Sequence, residues 1–128
     1  MSLRFPAEWE AHRATWISWP HEPADFPGKI STIYWVYAEI VRTLSKFEHV
    51  EIICHDEKTK ELAEDHLLKT GVTENYSLHI LPTDRSWLRD SAPTCVIDGE
   101  KKSWTSFEFN AWAKYENFHQ DRAVPEFI

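Results

Sequence analysis

The chain has 128 residues, of which 14 are Lys or Arg and 21 are Asp or Glu, so its formal net charge is −7. This acidic balance argues against a nucleic-acid partner or an anionic membrane surface, because both require a basic contact surface. Seven Trp, four Tyr and seven Phe with only three Gly are typical of a folded domain and exclude a disordered or low-complexity chain.

The sequence also indicates the cellular compartment and excludes two kinds of cysteine-based scaffold. No run approaches the ~18–20 apolar residues that a membrane-spanning helix needs, and residues 1–6 lack the apolar stretch of a signal peptide. We therefore expect a cytoplasmic protein with no membrane partner. The two cysteines, Cys54 and Cys95, lie in no recurring metal spacing, which excludes zinc ribbons and disulfide scaffolds.

Strands and helices alternate in the first part of the chain. The pattern predicts strands over residues 14–19, 50–54 and 77–81, and helices over residues 30–47 and 57–70. Apolar residues of the first helix recur at steps of three and four, as an amphipathic helix requires. A proline-rich loop over residues 20–28 precedes this helix, and Gly71 ends the second one.

A hairpin is predicted in the second part. A strand over residues 93–97 leads to Asp98-Gly99, the turn pair most typical of a hairpin, and to a partner strand over residues 102–109. Alternation on the partner strand places three residues on one face, namely Thr105, Phe107 and Phe109. The resulting order, β-α-β-α-β-β-β, predicts an α/β architecture with a mixed sheet.

The thiols and histidines give no catalytic or metal site. Cys54-His55-Asp56 contains the residue types of a triad, but successive strand residues point to opposite faces, so we interpret Cys54 as a buried strand thiol. Cys95 has no Lys, Arg or His within three residues to lower its pKa, and we interpret it as structural too. The seven histidines form no helical i, i+4 pair, so we predict no metal site.

The segment most typical of a functional site is the loop over residues 83–93, which holds two Asp, two Arg and a Trp just before a strand. One interpretation is a solvated loop with internal Arg–Asp pairs. The other is a pocket for a small cation, in which the carboxylate of Asp90 accepts two N–H donors of a guanidinium and Trp87 offers an aromatic face. A second mixed aromatic and polar stretch, residues 109–119, contains Trp112 and fits either core packing or the same kind of site.

In these segments the sequence resembles the amino-terminal part of the agmatine deiminase and bacterial peptidyl-arginine deiminase family. The similar blocks follow the family's order, at residues 6–10, 14–21, 35–40, 83–93, 109–112 and 114–115. Several separated blocks in one order are specific, whereas an isolated Arg-Asp pair would be a weak signal.

The resemblance implies a pentein fold, a five-bladed α/β propeller, of which this chain forms about the first two ββαβ-like modules. Residues 1–128 are then the amino-terminal portion of a single deiminase catalytic domain without an internal linker. The implied chemistry begins with a cysteine thiolate that attacks the guanidinium carbon. Ammonia leaves, and water then releases a ureido product, so no cofactor or metal is needed.

Residue roles follow from the same resemblance. Asp90 corresponds to the Asp of the family's W-x-R-D motif, which binds the substrate guanidinium. Trp87 and Trp112 correspond to residues in or behind the substrate pocket. Arg89 is expected to hold the loop, because a cation facing a cationic substrate would repel it.

The sequence departs from the family pattern at two alanines and in its extent. Ala92 stands where the family usually has Gly, so this position must avoid positive φ or absorb strain. Ala113 stands where a Gly pair is usual, which shortens that loop by one residue. The family's later catalytic His and nucleophilic Cys have no counterpart here. We therefore expect a fragment that is inactive alone.

The function implied for the complete protein is hydrolysis of agmatine to N-carbamoylputrescine and ammonia, in putrescine biosynthesis. One alternative is an arginine or peptidyl-arginine deiminase, and another is a non-catalytic guanidinium-binding or assembly module. A partial propeller exposes strand edges and apolar surface, so we also expect self-association.

Overall fold

A parallel three-stranded sheet forms the first part of the chain in the computed structural model, which describes residues 3–128. Met1 and Ser2, the start of the segment considered for a signal peptide, lie outside the described residues. The sheet and its helices are, in chain order, β1 (Ala14–Ser18), α1 (Ile30–Leu44), β2 (His49–Cys54), α2 (Glu57–Lys69) and β3 (Tyr76–Ile80). The strand order is β1-β2-β3, so β2 is central.

Both faces of β2 are covered by apolar side chains, as expected for a parallel sheet. Alternation along β2 directs Val50, Ile52 and Cys54 into the main core and Ile53 to the opposite face. The main core is closed by buried residues from the helices and from the end of β1, namely Trp19, Ala38, Val41, Ala63 and Leu67. The sheet is therefore a rigid base for the loops that leave its edges.

Local capping sets the bounds of α2. Asp56 Oδ1 accepts hydrogen bonds from the amide of Thr59 at 2.7 Å and from its hydroxyl at 2.7 Å, which satisfies a free amide of the first turn. These bonds hold the pKa of Asp56 below its usual range. Gly71 follows the helix at φ +80°, as predicted for a stop residue.

The second part contains two short helices, a hairpin and two 3-10 turns. Its elements are α3 (Leu88–Ser91), β4 (Thr94–Asp98), β5 (Lys101–Thr105) and α4 (Val124–Phe127), with 3-10 turns at Ala111–Ala113 and Gln120–Ala123. None of the helices in residues 3–128 combines the length and the apolar character that a membrane-spanning segment requires.

Three predictions about this second part are corrected. The mixed sheet is wrong, because β4 and β5 form a separate two-stranded sheet once α3 has carried the chain away from β3. The partner strand ends at Thr105, not at residue 109, so Phe107 is exposed while Phe109 is buried. The turn lies one residue later than predicted, because Asp98 still pairs with Lys101.

Candidate functional site

Three loops converge at the carboxyl edge of the parallel sheet, where ligands bind in many α/β proteins. They follow β1, β2 and β3 and bring together His21, His55 and Thr83. The His21 and His55 rings stack at 4.5 Å with an interplanar angle of 12°. His55 Nδ1 lies 2.8 Å from the carbonyl oxygen of Thr83. Burial, and to a lesser extent the neighbouring His55, lowers the pKa of His21.

Asp90 is carried by α3 just beyond this edge. The helix is anchored by Leu88 and Ser91, which are both buried, whereas Asp90 is exposed. The indole Nε1–H of Trp112 donates a hydrogen bond of 3.4 Å to Asp90 Oδ1. The structure therefore brings together two of the three residues that the sequence singled out, from segments 22 residues apart.

Trp112 lies in a strained turn. Ala111, Trp112 and Ala113 have φ values of 50°, 59° and 54°, the left-handed region that L-residues rarely adopt. Ala92, the position where strain was anticipated, avoids it at φ −78°, whereas Ala113 adopts the left-handed conformation in the loop that was expected only to be shorter. Aromatic packing holds the turn, because Phe109 is buried and its ring meets that of Trp112 edge-on at 5.2 Å.

The third predicted residue, Trp87, packs elsewhere. Its ring is tilted against Phe26 of the proline-rich loop at 5.6 Å, and 37% of the residue remains exposed. Trp87 also precedes α3, and its carbonyl oxygen accepts a hydrogen bond of 3.1 Å from the backbone amide of Asp90. It is thus linked to Asp90 through the backbone. The binding roles of Trp87, Asp90 and Trp112 stay a prediction.

Arg85, in the loop after β3, is a buried tie to the proline-rich loop and to residues 115–117. It is 4% exposed, pairs with Asp25 and donates a hydrogen bond to the side chain of Asn117. Its guanidinium carbon also lies 4.0 Å from the centroid of the Tyr115 ring. Sequence reasoning anticipated Arg–Asp pairs within the 83–93 loop, but this partner comes from a loop 60 residues away, which no local pattern indicates.

Asp121 is a second buried tie, and no local pattern in the sequence indicates it. Its Oδ1 accepts hydrogen bonds from the amides of Asp84 at 2.8 Å and Arg85 at 3.1 Å. Asp84 Oδ2 in turn accepts a hydrogen bond of 2.9 Å from the backbone amide of Gln120. Burial raises the pKa of Asp121 to about 6, although the two amide bonds oppose the shift.

The remaining candidates behave as structural groups. Burial raises the pKa of Cys54 to about 12, which makes it a poor nucleophile and confirms the interpretation of a buried strand thiol. The supposed triad is dispersed, since His55 contacts Thr83 while Asp56 caps α2. Arg89 forms an exposed ion pair with Glu8. Within residues 3–128, no group of three or more His, Cys, Asp or Glu is arranged to hold a metal ion.

Sequence comparisons agree on one kind of protein. Residues 4–128 match the model of a family described as Porphyromonas-type peptidyl-arginine deiminase. An agmatine deiminase of Pseudomonas aeruginosa is 32% identical over 116 residues, which cover 89% of this chain and 30% of the relative. An agmatine deiminase of Ectopseudomonas mendocina is 30% identical over 118 residues, with the same coverage. The chain thus spans about a third of the length of the curated relatives it matches.

Solved structures of agmatine deiminases share the fold. An agmatine deiminase of C. jejuni with substrate bound superposes with a TM-score of 0.82 at 24% identity, covering 98% of this chain and 35% of that one. The Enterococcus faecalis enzyme gives a TM-score of 0.83 at 20% identity, covering 98% and 34%. These proteins are pentein propellers, so the predicted α/β propeller class is confirmed, with the chain forming about a third of one.

Proposed function

Because the chain belongs to the Porphyromonas-type peptidyl-arginine deiminase family, we propose that it forms the guanidinium-binding part of an agmatine deiminase. The complete enzyme converts agmatine and water to N-carbamoylputrescine and ammonia. Relatives that are at least 30% identical and named agmatine deiminase favour agmatine over arginine or peptidyl-arginine. On this proposal the enzyme is a cytoplasmic hydrolase of putrescine biosynthesis.

The observation that carries the proposal is the hydrogen bond between Trp112 and the exposed carboxylate of Asp90. A carboxylate has four acceptor positions, so one bond from an indole leaves capacity for a planar guanidinium that donates two parallel N–H bonds. The nearby aromatic ring offers a face for the same cation. Asp90 would then orient the guanidinium carbon and stabilise its positive charge.

The proposed reaction proceeds by addition and elimination at that carbon. A cysteine thiolate of the complete enzyme forms a C–S bond, and one guanidinium nitrogen takes up a proton and leaves as ammonia. Water then adds to the amidino carbon and the C–S bond breaks, which releases the ureido product and regenerates the thiolate. Cys54 is unsuited to this step, because its thiol is buried with a raised pKa. The chemistry uses no cofactor or metal.

Calorimetric titration with agmatine tests the binding role of this chain. We expect Asp90→Asn to weaken binding by about tenfold or more, because it removes a charge-assisted pair. Glu100→Gln, at the exposed hairpin turn, is the matched control and should bind as the wild type does. If the wild-type chain releases no heat, the proposed site is wrong and only the interpretation as a non-binding assembly module remains.

Substrate choice is tested with the longer protein that contains the rest of the family's length. Ureido product is measured from agmatine, arginine and an arginine peptide under the same conditions. We expect agmatine to give the highest kcat/KM, because the relatives at least 30% identical carry its name. A preference for arginine or for the peptide would contradict that assignment while leaving deimination in place.

Self-association of the 128-residue chain remains part of the proposal. Large apolar side chains are exposed on the hairpin and beyond it, with Trp104 at 62% and Phe107 at 68%. Strands β1 and β3 are also the edges of an open sheet. We expect the sedimentation coefficient to rise with concentration. A single monomeric species at high concentration would rule out this expectation.

A further inference from the structure

The left-handed turn at Ala111–Ala113 depends on contacts from outside the turn. All three residues have positive φ, which is costly for a residue with a Cβ atom and persists only where surrounding contacts fix the backbone. The Trp112 residue on this turn is 44% exposed, so burial alone does not fix its ring. The position of that ring decides whether the indole N–H reaches Asp90. The contacts that hold the ring therefore bear on the proposed site.

Two aromatic residues hold the Trp112 ring, one from each side of the turn in the sequence. Phe109 precedes the turn, is buried, and meets the ring of Trp112 at 5.2 Å with an interplanar angle of 89°. Tyr115 follows the turn, is half-buried, and meets the same ring at 6.1 Å with an interplanar angle of 79°. Both pairs have the edge-to-face geometry that aromatic rings prefer at these distances.

Tyr115 differs from Phe109 because a separate loop supports its ring. The guanidinium carbon of Arg85 lies 4.0 Å from the centroid of the Tyr115 ring, within the range of a cation–π contact. Arg85 is 4% exposed and pairs with Asp25, so it is a fixed support. The amide of Tyr115 also donates a hydrogen bond of 3.4 Å to the carbonyl oxygen of Ala111. Tyr115 is thus joined both to a buried cation and to the strained turn.

These contacts form a continuous path to the exposed carboxylate. The path runs from Arg85 through the rings of Tyr115 and Trp112. The indole N–H of Trp112 then donates its hydrogen bond of 3.4 Å to Asp90 Oδ1. An exposed side chain such as Asp90 loses rotamer freedom when it binds a ligand. A carboxylate that the indole already orients loses less of that freedom, which favours binding.

We propose that Tyr115 is a positioning residue of the guanidinium site. Its ring, supported by Arg85, keeps the indole of Trp112 on the carboxylate of Asp90. Tyr115 acts on the substrate only through these two residues. The inference rests on the proposed function, because it takes Asp90 as the group that receives the guanidinium.

The indole proton resonance of Trp112 tests this arrangement without any ligand. The chain has seven Trp residues, and Trp112→Phe identifies the resonance as the one that disappears. A hydrogen bond to a carboxylate moves this proton downfield, so Asp90→Ala should shift the resonance upfield. Tyr115→Leu should shift it in the same direction. Tyr115→Phe keeps the ring and should leave the resonance at its wild-type position.

Calorimetric titration with agmatine measures the consequence for binding. We expect Tyr115→Leu to weaken binding by about three- to tenfold, the range expected for one aromatic pair, and Tyr115→Phe to bind as the wild type does. Trp112→Phe lacks the indole donor, so adding Tyr115→Leu to that variant should cause no further loss. A merely structural role of Tyr115 would weaken binding equally with and without the indole.

Phe118→Leu is the matched control. Phe118 is also half-buried and has the guanidinium carbon of Arg122 at 5.3 Å from its ring centroid, but its ring pairs are with Phe109 and His119. Its loss should change neither the indole resonance nor agmatine binding. Tyr115→Gln also removes the ring and suits a half-exposed position, so it replaces Tyr115→Leu should that variant not fold.

The inference is wrong if loss of the Tyr115 ring leaves the indole resonance in place, if Phe118→Leu shifts the resonance as far, or if Tyr115→Phe shifts it like Tyr115→Leu. Equal loss of agmatine binding with and without the indole of Trp112 would also overturn it. If the wild-type chain does not bind agmatine, the proposed function is wrong, and the indole resonance then decides by itself whether Tyr115 positions Trp112.

Discussion

The parallel sheet and the segment that carries Asp90 are held together by different forces. The sheet, with α1 and α2, encloses a continuous apolar core in which Val50, Ile52 and Cys54 are fully buried. The segment from α3 to α4 has a smaller apolar cluster, and polar ties from Arg85 to Asn117 and from Asp121 to the Asp84 amide join it to the loop after β3. Apolar burial is non-directional, whereas polar ties fix distances and angles. Positioning of the candidate site thus depends on a few directional bonds.

The largest effect should follow removal of Arg85. Arg85→Met leaves the side chain of Asp25 buried without its cation, which is expected to lower the free energy of unfolding by about 3–5 kcal/mol. Chemical denaturation measures the loss. Amide exchange should speed up mainly in residues 109–123, with the central strand β2 changed least.

Arg89→Met is the matched control, because Arg89 pairs with Glu8 in an exposed position. Its loss should lower the free energy of unfolding by less than about 1 kcal/mol. Equal effects of the two substitutions would contradict the idea that buried polar ties organise this segment. Uniformly faster exchange in Arg85→Met, including β2, would show that the two regions unfold as one unit.

A smaller effect is expected in the strained turn. Ala113 has a φ of 54°, which strains a residue with a Cβ atom but not glycine. Because the relief of this strain exceeds the entropy cost of glycine, Ala113→Gly should raise the free energy of unfolding by about 0.5–1 kcal/mol. Thermal denaturation measures the change. Ala92→Gly is the control at φ −78° and should lower stability by a similar amount. A loss of stability in Ala113→Gly would mean that packing around Trp112 outweighs the backbone strain.

The same division explains what could be predicted from the sequence. The helix period of residues 30–44 and the β-prone run at 50–54 arise from burial against one core, so local patterns identified the first three strands and the two long helices, although not how the strands divide into sheets. The contacts that position the site could not be predicted in this way. Asp25 and Arg85 are 60 residues apart in the sequence, and their ion pair produces no periodic sequence pattern. Asp90 and Trp112 were selected by residue type and family resemblance, but their hydrogen bond depends on the left-handed turn at Ala111–Ala113.

The effect confined to a limited pH range concerns the second polar tie. Burial raises the pKa of Asp121 from 3.8 to about 6, so between these values the folded chain keeps a proton that the unfolded chain has lost. Stability contributed by this group therefore falls as pH rises through that window, and it is constant below and above it.

Asp121→Asn should remove this slope while preserving an oxygen for the amides of Asp84 and Arg85. Asp90→Asn controls for the loss of a carboxyl group. Denaturation of the three proteins from about pH 4 to pH 7 measures the slopes, and an unchanged slope in Asp121→Asn would mean that Asp121 is solvated well enough to titrate normally.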